Sequence, residues 1–163
     1  MCYINSVINM FSNELVCNII DYINQHIDEE IRIDDLSRLF YFNRTYIMKR
    51  FKKELGISIV KYCNTVKIYN SLKDLKYNKS ILEIALKNGF NSQEYYSEIF
   101  KSILGVPPLT YKKYITYICN ISEKQTEIIQ NNIIEVELTI SSVQKYLNNR
   151  RPQTTVKKLS LFQ

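Results

Sequence analysis

Apolar residues recur at helical spacing along most of this chain. Leu15, Ile19, Ile23 and Ile27 fall on every fourth residue, which predicts an amphipathic helix over about 14–27. Capping residues and terminal glycines add shorter predicted helices over 34–40, 43–55, 80–87, 92–104 and 107–114. A longer helix is predicted over 58–76, about 18 residues and therefore about 27 Å long. The predicted fold class is all-α up to residue 115.

Two stretches of the chain look like copies of one helical unit. FNRTYIMKRFKKELG at 42–56 and NSQEYYSEIFKSILG at 91–105 share a capping residue, a Phe-Lys pair and a final Leu-Gly pair. Their apolar stripes are Ile47, Phe51 and Leu55 in the first copy, and Tyr96, Phe100 and Leu104 in the second. Because a short helix precedes each copy, the sequence predicts that one helix pair has been built twice.

The two copies differ in charge. Residues 43–53 contain five basic residues and no acidic one: Arg44, Lys49, Arg50, Lys52 and Lys53. Residues 92–102 contain two acidic residues, Glu94 and Glu98, and one basic residue, Lys101. The first copy therefore has a positive outer face and the second does not.

The chain resembles the AraC/XylS family of bacterial transcription regulators over about residues 16–115. The resemblance is carried by IALKNGFNSQEYYSEIFKSILGVPPLTYKKY at 84–114 and by TYIMKRFKKELGISIVKY at 45–62. It implies two helix-turn-helix units joined by a long helix, with the second helix of each unit in the major groove of double-stranded DNA. The resemblance also implies that the protein controls transcription. By analogy with the family, the expected effect is activation, with RNA polymerase as a partner. Lys67 stands where the family commonly has Arg.

The resemblance assigns base contacts in the first unit to Thr45, Met48 and Lys49, with Lys49 where Arg is usual. Helical spacing places these residues opposite the apolar stripe, together with Lys52. Arg44 and Lys52 are suited to phosphate contacts, which position a protein on DNA without reading its sequence. Lys lacks the rigid fork of Arg, so a contact from Lys49 to guanine is expected to be less selective.

In the second unit the equivalent face is built from acidic and neutral residues. Glu94, Ser97 and Glu98 are the candidates for base contacts, and Gln93 and Lys101 are the candidates for phosphate contacts. The family commonly has Arg at the position of Glu98. Phosphates repel a carboxylate, whereas the N4 amino group of cytosine can donate a hydrogen bond to one. We hypothesise that this unit docks weakly and leaves most of the affinity to the first.

Beyond residue 115 the pattern changes. Ile134, Val136, Leu138 and Ile140 alternate with Glu135, Glu137 and Thr139, a period of two that predicts a strand over 133–140. A lone strand needs a neighbour, so pairing with a second copy, with another protein or with a further domain is expected. A short helix is predicted over 142–149, and RRPQTTVKK at 150–158 forms a basic end.

Composition narrows the class of protein. The net charge of +6 favours a polyanionic partner such as nucleic acid. The four cysteines form no CxxC pair, so no metal site, cofactor or disulfide framework is expected. The chain shows neither a signal peptide nor an apolar run of about 20 residues, so the expected location is the cytoplasm, with no membrane partner.

The predicted organisation is a lead over 1–14, a first helix-turn-helix unit over 15–57, a linker helix over 58–77, a second unit over 78–115 and an extension of unknown role over 116–163. The function predicted is sequence-specific DNA binding that regulates transcription. An alternative is an adaptor of the same fold whose acidic second face binds protein. An enzyme is not expected, because no cluster of His, Cys and carboxylates has catalytic spacing.

Overall fold

The computed structural model describes the backbone of residues 2–117 and 123–150, and the side chains of 14–116 and 123–150. Within these ranges the chain is helical and contains no strand, which confirms the predicted all-α class. The helices are α1 (Cys2–Gln25), α2 (Ile33–Phe40), α3 (Arg44–Leu55), α4 (Ile59–Ser71), α5 (Ile81–Lys87), α6 (Gln93–Leu104), α7 (Pro108–Tyr117) and α8 (Glu123–Arg150), with a 3-10 turn over Asp74–Lys76 between α4 and α5.

Helices α3 and α6 begin and end by the same means. The Asn43 side chain accepts a hydrogen bond from the Tyr46 amide at 2.8 Å, and Ser92 Oγ accepts one from the Tyr95 amide at 3.2 Å. Each helix ends at a glycine in the left-handed region, Gly56 at φ 74° and Gly105 at φ 78°. The caps and stops predicted for the two copies are therefore confirmed.

The helices enclose two hydrophobic cores. The first contains Ile47 and Phe51 of α3 among residues of α1, α2, α4 and the end of α8. The second contains Tyr96, Phe100 and Leu104 of α6 among residues of α4, α5, α7 and the first half of α8. Helices α4 and α8 supply side chains to both cores, so they connect the two halves of the fold.

Two predicted boundaries differ from the structure. Helix α1 begins at Cys2, so most of the stretch predicted as a lead over 1–14 is helical. The linker was predicted to continue to residue 76, but α4 has 13 residues and ends at Ser71. The chain tightens there because the Leu72 amide donates to the carbonyl of Tyr69, three residues back, and the 3-10 turn follows.

The strand predicted over 133–140 is wrong, because these residues lie in α8, a helix of 28 residues. Six apolar residues of α8 recur at alternate spacings of four and three and face the two cores: Ile129, Ile133, Val136, Ile140, Val143 and Leu147. Ile134 and Leu138, which completed the period of two, are 53% and 62% exposed. Because there is no strand over 133–140, pairing through it is no longer expected. The helix predicted over 142–149 forms the last part of α8.

The basic end predicted over 150–158 lies outside the described residues except for Arg150, the last residue of α8. Among the helices that the structure describes, none combines the length and the hydropathy that crossing a membrane would require.

The glycines that end α3 and α6 provide a matched test of how α8 packs. A β-carbon on Gly56 would meet nothing within 4 Å, whereas one on Gly105 would lie 2.6 Å from Ile128 Cγ2 and 2.8 Å from Asn132 Nδ2. We expect Gly56→Ala to lower the free energy of unfolding by about 1 kcal/mol, the cost of a left-handed backbone. Gly105→Ala should lose about 1–3 kcal/mol more, because α8 must move. Urea denaturation of both variants measures the difference, and equal losses would contradict this packing.

Candidate nucleic-acid interface

The outer face of α3 presents the residues predicted to contact DNA in the first unit. Ile47 and Phe51 are fully buried on the inner side of the helix. Arg44, Thr45, Met48, Lys49 and Lys52 are all exposed on the other side. Because side chains three and four residues apart share a helix face, Thr45, Met48, Lys49 and Lys52 form one continuous surface, which we call the α3 face.

The structure divides the basic residues of α3 into two groups. Arg50 pairs with Glu54, with an Nη2–Oε1 distance of 2.8 Å, and the two side chains are only 13% and 12% exposed. Arg50 is therefore part of the structure rather than of the outer face, which the sequence alone did not indicate. Arg44 Nη1 lies 3.0 Å from Asp34 Oδ1, but this pair is solvent-exposed. Exposed ion pairs contribute little, so Arg44 can exchange Asp34 for a phosphate.

The outer face of α6 has the same geometry. Gln93, Glu94, Glu98 and Lys101 are exposed and Ser97 is half-buried, while Tyr96, Phe100 and Leu104 are fully buried on the inner side. We call Gln93, Glu94, Ser97, Glu98 and Lys101 the α6 face. The two faces therefore differ in charge and not in the way that the helices are held.

Supporting side chains hold α6 in place from behind. Tyr96 is fully buried, and its hydroxyl lies 3.0 Å from Ser71 Oγ at the end of α4. Burial raises the pKa of Tyr96 to about 12, so the hydroxyl stays protonated near neutral pH. Ser71 Oγ also donates to the carbonyl of Ile68 at 2.7 Å. This chain of hydrogen bonds fixes α6 against α4.

A buried lysine joins the two units. Lys67 of α4 is 6% exposed, and its Nζ donates to the carbonyl of Glu29 at 2.6 Å and to the carbonyl of Gly89 at 2.7 Å. The same ammonium lies 5.5 Å from the centre of the Phe90 ring. Burial lowers the pKa of Lys67 below its ordinary value. Glu29 belongs to the loop after α1 and Gly89 to the turn before α6.

The described side chains contain no group of three or more His, Cys, Asp or Glu residues that could hold a metal ion. Cys63 is buried in the first core, and burial raises its pKa to about 11, which leaves it a poor nucleophile.

Comparisons with known proteins agree with this architecture. Residues 36–114 match a family described as a helix-turn-helix domain. An uncharacterized HTH-type transcriptional regulator of Staphylococcus aureus is 30% identical over 105 residues, which cover 64% of this chain and 14% of that protein. This chain therefore spans about a seventh of the length of that relative.

Solved structures share the fold. The C-terminal domain of AraT, a response regulator from Geobacillus stearothermophilus, is 26% identical with a TM-score of 0.58, over 67% of this chain and 88% of that one. An AraC-type regulator from Chromobacterium violaceum is 22% identical with a TM-score of 0.55, over 63% and 93%. The DNA-binding domain of AdpA, solved with a target DNA, is 19% identical with a TM-score of 0.57, over 64% and 97%.

The repeated helix pairs and their two outward helices define a bipartite helix-turn-helix protein. Residues 36–114 match a helix-turn-helix family and the fold is shared with an AraC-type regulator, which confirms the resemblance found in the sequence.

Replacing Lys67 tests the junction between the units. We expect Lys67→Met to lower the free energy of unfolding by about 2 kcal/mol, because two partly buried carbonyls lose their donor. Lys61→Met is the control, since Lys61 is an exposed lysine of the same helix and should change stability by less than about 0.5 kcal/mol. Chemical denaturation compares them, and similar losses in the two variants would show that the Lys67 hydrogen bonds contribute little.

Proposed function

We propose that this chain is a sequence-specific DNA-binding regulator of transcription whose helix α3 enters the major groove. The observation that carries the proposal is the α3 face, an exposed surface with two lysines on a helix whose 43–53 stretch has no acidic residue. The major groove is about 12 Å wide and admits an α-helix. The fold is shared with a domain that was solved in complex with DNA, which supports the same partner here.

The residues of the first unit take different roles in this proposal. Thr45, Met48 and Lys49 lie towards base edges, and Arg44 and Lys52 contact phosphates on either side. Ion pairs among the described side chains involve neither Lys49 nor Lys52, so their ammonium groups carry no competing partner. Release of counterions from the phosphates then supplies much of the affinity.

The second unit contributes less affinity. Glu94, Ser97 and Glu98 face the bases in this arrangement, and Gln93 and Lys101 face phosphates. Carboxylates gain nothing from phosphates, so the α6 face docks weakly unless a donor such as a cytosine amino group lies opposite. The proposal includes no catalytic step.

Replacing two lysines of the α3 face, one at a time, distinguishes a base contact from a phosphate contact. On a site selected from a random DNA pool, Lys52→Ala should weaken binding to all sequences and reduce the slope of log affinity against log salt by about 1. Lys49→Ala should lose about 1–3 kcal/mol on the preferred site and relax the preference at one base pair. Lys145→Ala, an equal loss of charge on an exposed residue of α8, is the control.

The adaptor is the second candidate, and the acidic α6 face favours it. Purified protein that shows no salt-dependent binding to any selected DNA would support the adaptor and reject the proposal.

The Lys49 variant also tests activation. We infer activation, together with contact to RNA polymerase, by analogy with the family. A reporter gene behind the selected site should be expressed more with the chain than without it, and Lys49→Ala should remove the increase.

The charge of the α6 face is tested by reversing it at one position. We expect Glu98→Arg to tighten binding severalfold, because a carboxylate near phosphates is replaced by a phosphate-binding guanidinium. Glu137→Arg makes the same change in net charge at an exposed position of α8 and serves as the control. Mobility-shift titrations measure both, and unchanged affinity in Glu98→Arg would show that the carboxylate does not oppose docking.

A further inference from the structure

Helix α8 contacts the C-terminal ends of both α3 and α6. At the end of α6 it packs so closely on Gly105 that a β-carbon there would lie 2.6 Å from Ile128 Cγ2 and 2.8 Å from Asn132 Nδ2. Ile128 is branched at its β-carbon, which restricts rotation about χ1. Its Cγ2 methyl group therefore cannot move aside easily. The first part of α8 is therefore seated directly on the stop of α6.

The other end of α8 contacts the end of α3. Tyr146 Oη donates to Glu54 Oε2 at 3.4 Å, and Arg150 Nη2 lies 4.0 Å from the same oxygen. The Arg150 guanidinium also lies 5.6 Å from the centre of the Tyr146 ring. Glu54 is only 12% exposed and pairs with Arg50 as well, so its carboxylate is shielded from solvent, whereas Arg150 is 44% exposed. It ties the last turn of α8 to the last turn of α3.

Between these contacts α8 is one uninterrupted helix. Ile129 and Val136 are buried in the second core, and Val143 and Leu147 are buried in the first. The 19 residues from Ile129 to Leu147 span about 28 Å, whereas the 13 residues of α4 span about 20 Å. Helix α8 is thus the longer of the two rigid connections between the units.

We propose that α8 is a brace that fixes the separation and the relative orientation of α3 and α6. The consequence for DNA rests on the proposed function. It is that the chain binds only DNA in which the two contacted regions are separated by one fixed spacing. Neighbouring major-groove sites are about 34 Å apart, and each added base pair shifts them by about 3.4 Å and rotates them around the duplex. A helix seated at both ends cannot follow such a change.

The brace can be broken without touching either contact. Glu137 is exposed and lies midway along α8. Glu137→Pro removes an internal hydrogen bond and kinks the helix, because the ring clashes with the carbonyl four residues back. Glu137→Ala removes the same carboxylate and keeps the helix, so it is the matched control. If circular dichroism shows that Glu137→Pro no longer melts cooperatively, Leu138→Gly at an exposed position replaces it.

The first measurement needs no DNA. Spin labels are placed on Lys53→Cys and Ser102→Cys, two exposed and equivalent positions on α3 and α6, in a chain with Cys2 and Cys119 changed to Ser. The remaining cysteines, Cys17 and Cys63, are buried. We expect one narrow distance distribution in the parent chain and in Glu137→Ala, and a distribution at least twice as broad in Glu137→Pro. Equal widths in all three chains would overturn the brace.

The second measurement uses DNA. Inserting 1 base pair between the contacted regions of a selected site shifts them by about 3.4 Å and rotates them, which should weaken the parent chain and Glu137→Ala about threefold or more, but Glu137→Pro less than about twofold, because only the connection through α4 then remains. A parent chain that binds both spacings equally would overturn the inference about spacing. Absence of any sequence-specific DNA binding would instead reject the proposed function, and the distance measurement would still decide whether α8 is a brace.

Discussion

The buried ammonium of Lys67 is the interaction on which the arrangement of the two units depends. It donates to a carbonyl of each unit, Glu29 in the first and Gly89 in the second. The approach is so close that a β-carbon on Gly89 would lie 2.6 Å from the backbone carbonyl of Asp28 and 2.7 Å from Lys67 Nζ. A glycine with φ of 71° therefore serves two needs there, the left-handed turn and the contact between units. Sliding one unit past the other would leave a buried charge without partners, which is costly.

Helix α8 complements this junction through separate contacts. The Lys67 junction acts through α4, and α8 acts through the ends of α3 and α6, so two separate connections hold α3 and α6. Each connection alone leaves a rotation about itself, whereas two that do not share an axis restrict both translation and rotation. In the proposed function, orienting the two faces beforehand would lower the entropy lost on binding DNA. The same rigidity would restrict which DNA geometries are accepted, because neither connection can lengthen without breaking buried contacts.

The parts of this fold that the sequence could predict are those set by neighbours along the chain. Asn43, Ser92 and the glycines at 56 and 105 act within one turn of their own helix, so α3 and α6 were predicted almost to the residue. Helix α8 was missed because Val136 and Ile140 fit a period of two with Ile134 and Leu138, and also a helical stripe with Ile129 and Val143. Only the two cores decide which pattern is buried. The end of α4 likewise depends on tertiary contacts, since Ser71 bonds to Tyr96 from a later helix. Pairing of Arg50 with Glu54 was readable from their i, i+4 spacing, yet its burial was not.

The rigid connection changes what the acidic α6 face can do in the proposed function. If the α3 face binds DNA in the proposed manner, Lys67 and α8 bring the α6 face to the duplex whatever its own affinity. Glu98 then lies near the DNA without contributing to the encounter, and its carboxylate is unfavourable wherever it meets phosphates or acceptor groups of bases. Only a donor, such as the amino group of cytosine, relieves that penalty. In such an arrangement the first unit supplies affinity. The second unit supplies specificity, because it weakens binding to DNA that places phosphates or base acceptor groups opposite Glu98. The retention of caps, core and stop glycine in α6 fits this division, since a helix that rejects wrong sites must be held as firmly as one that binds right ones.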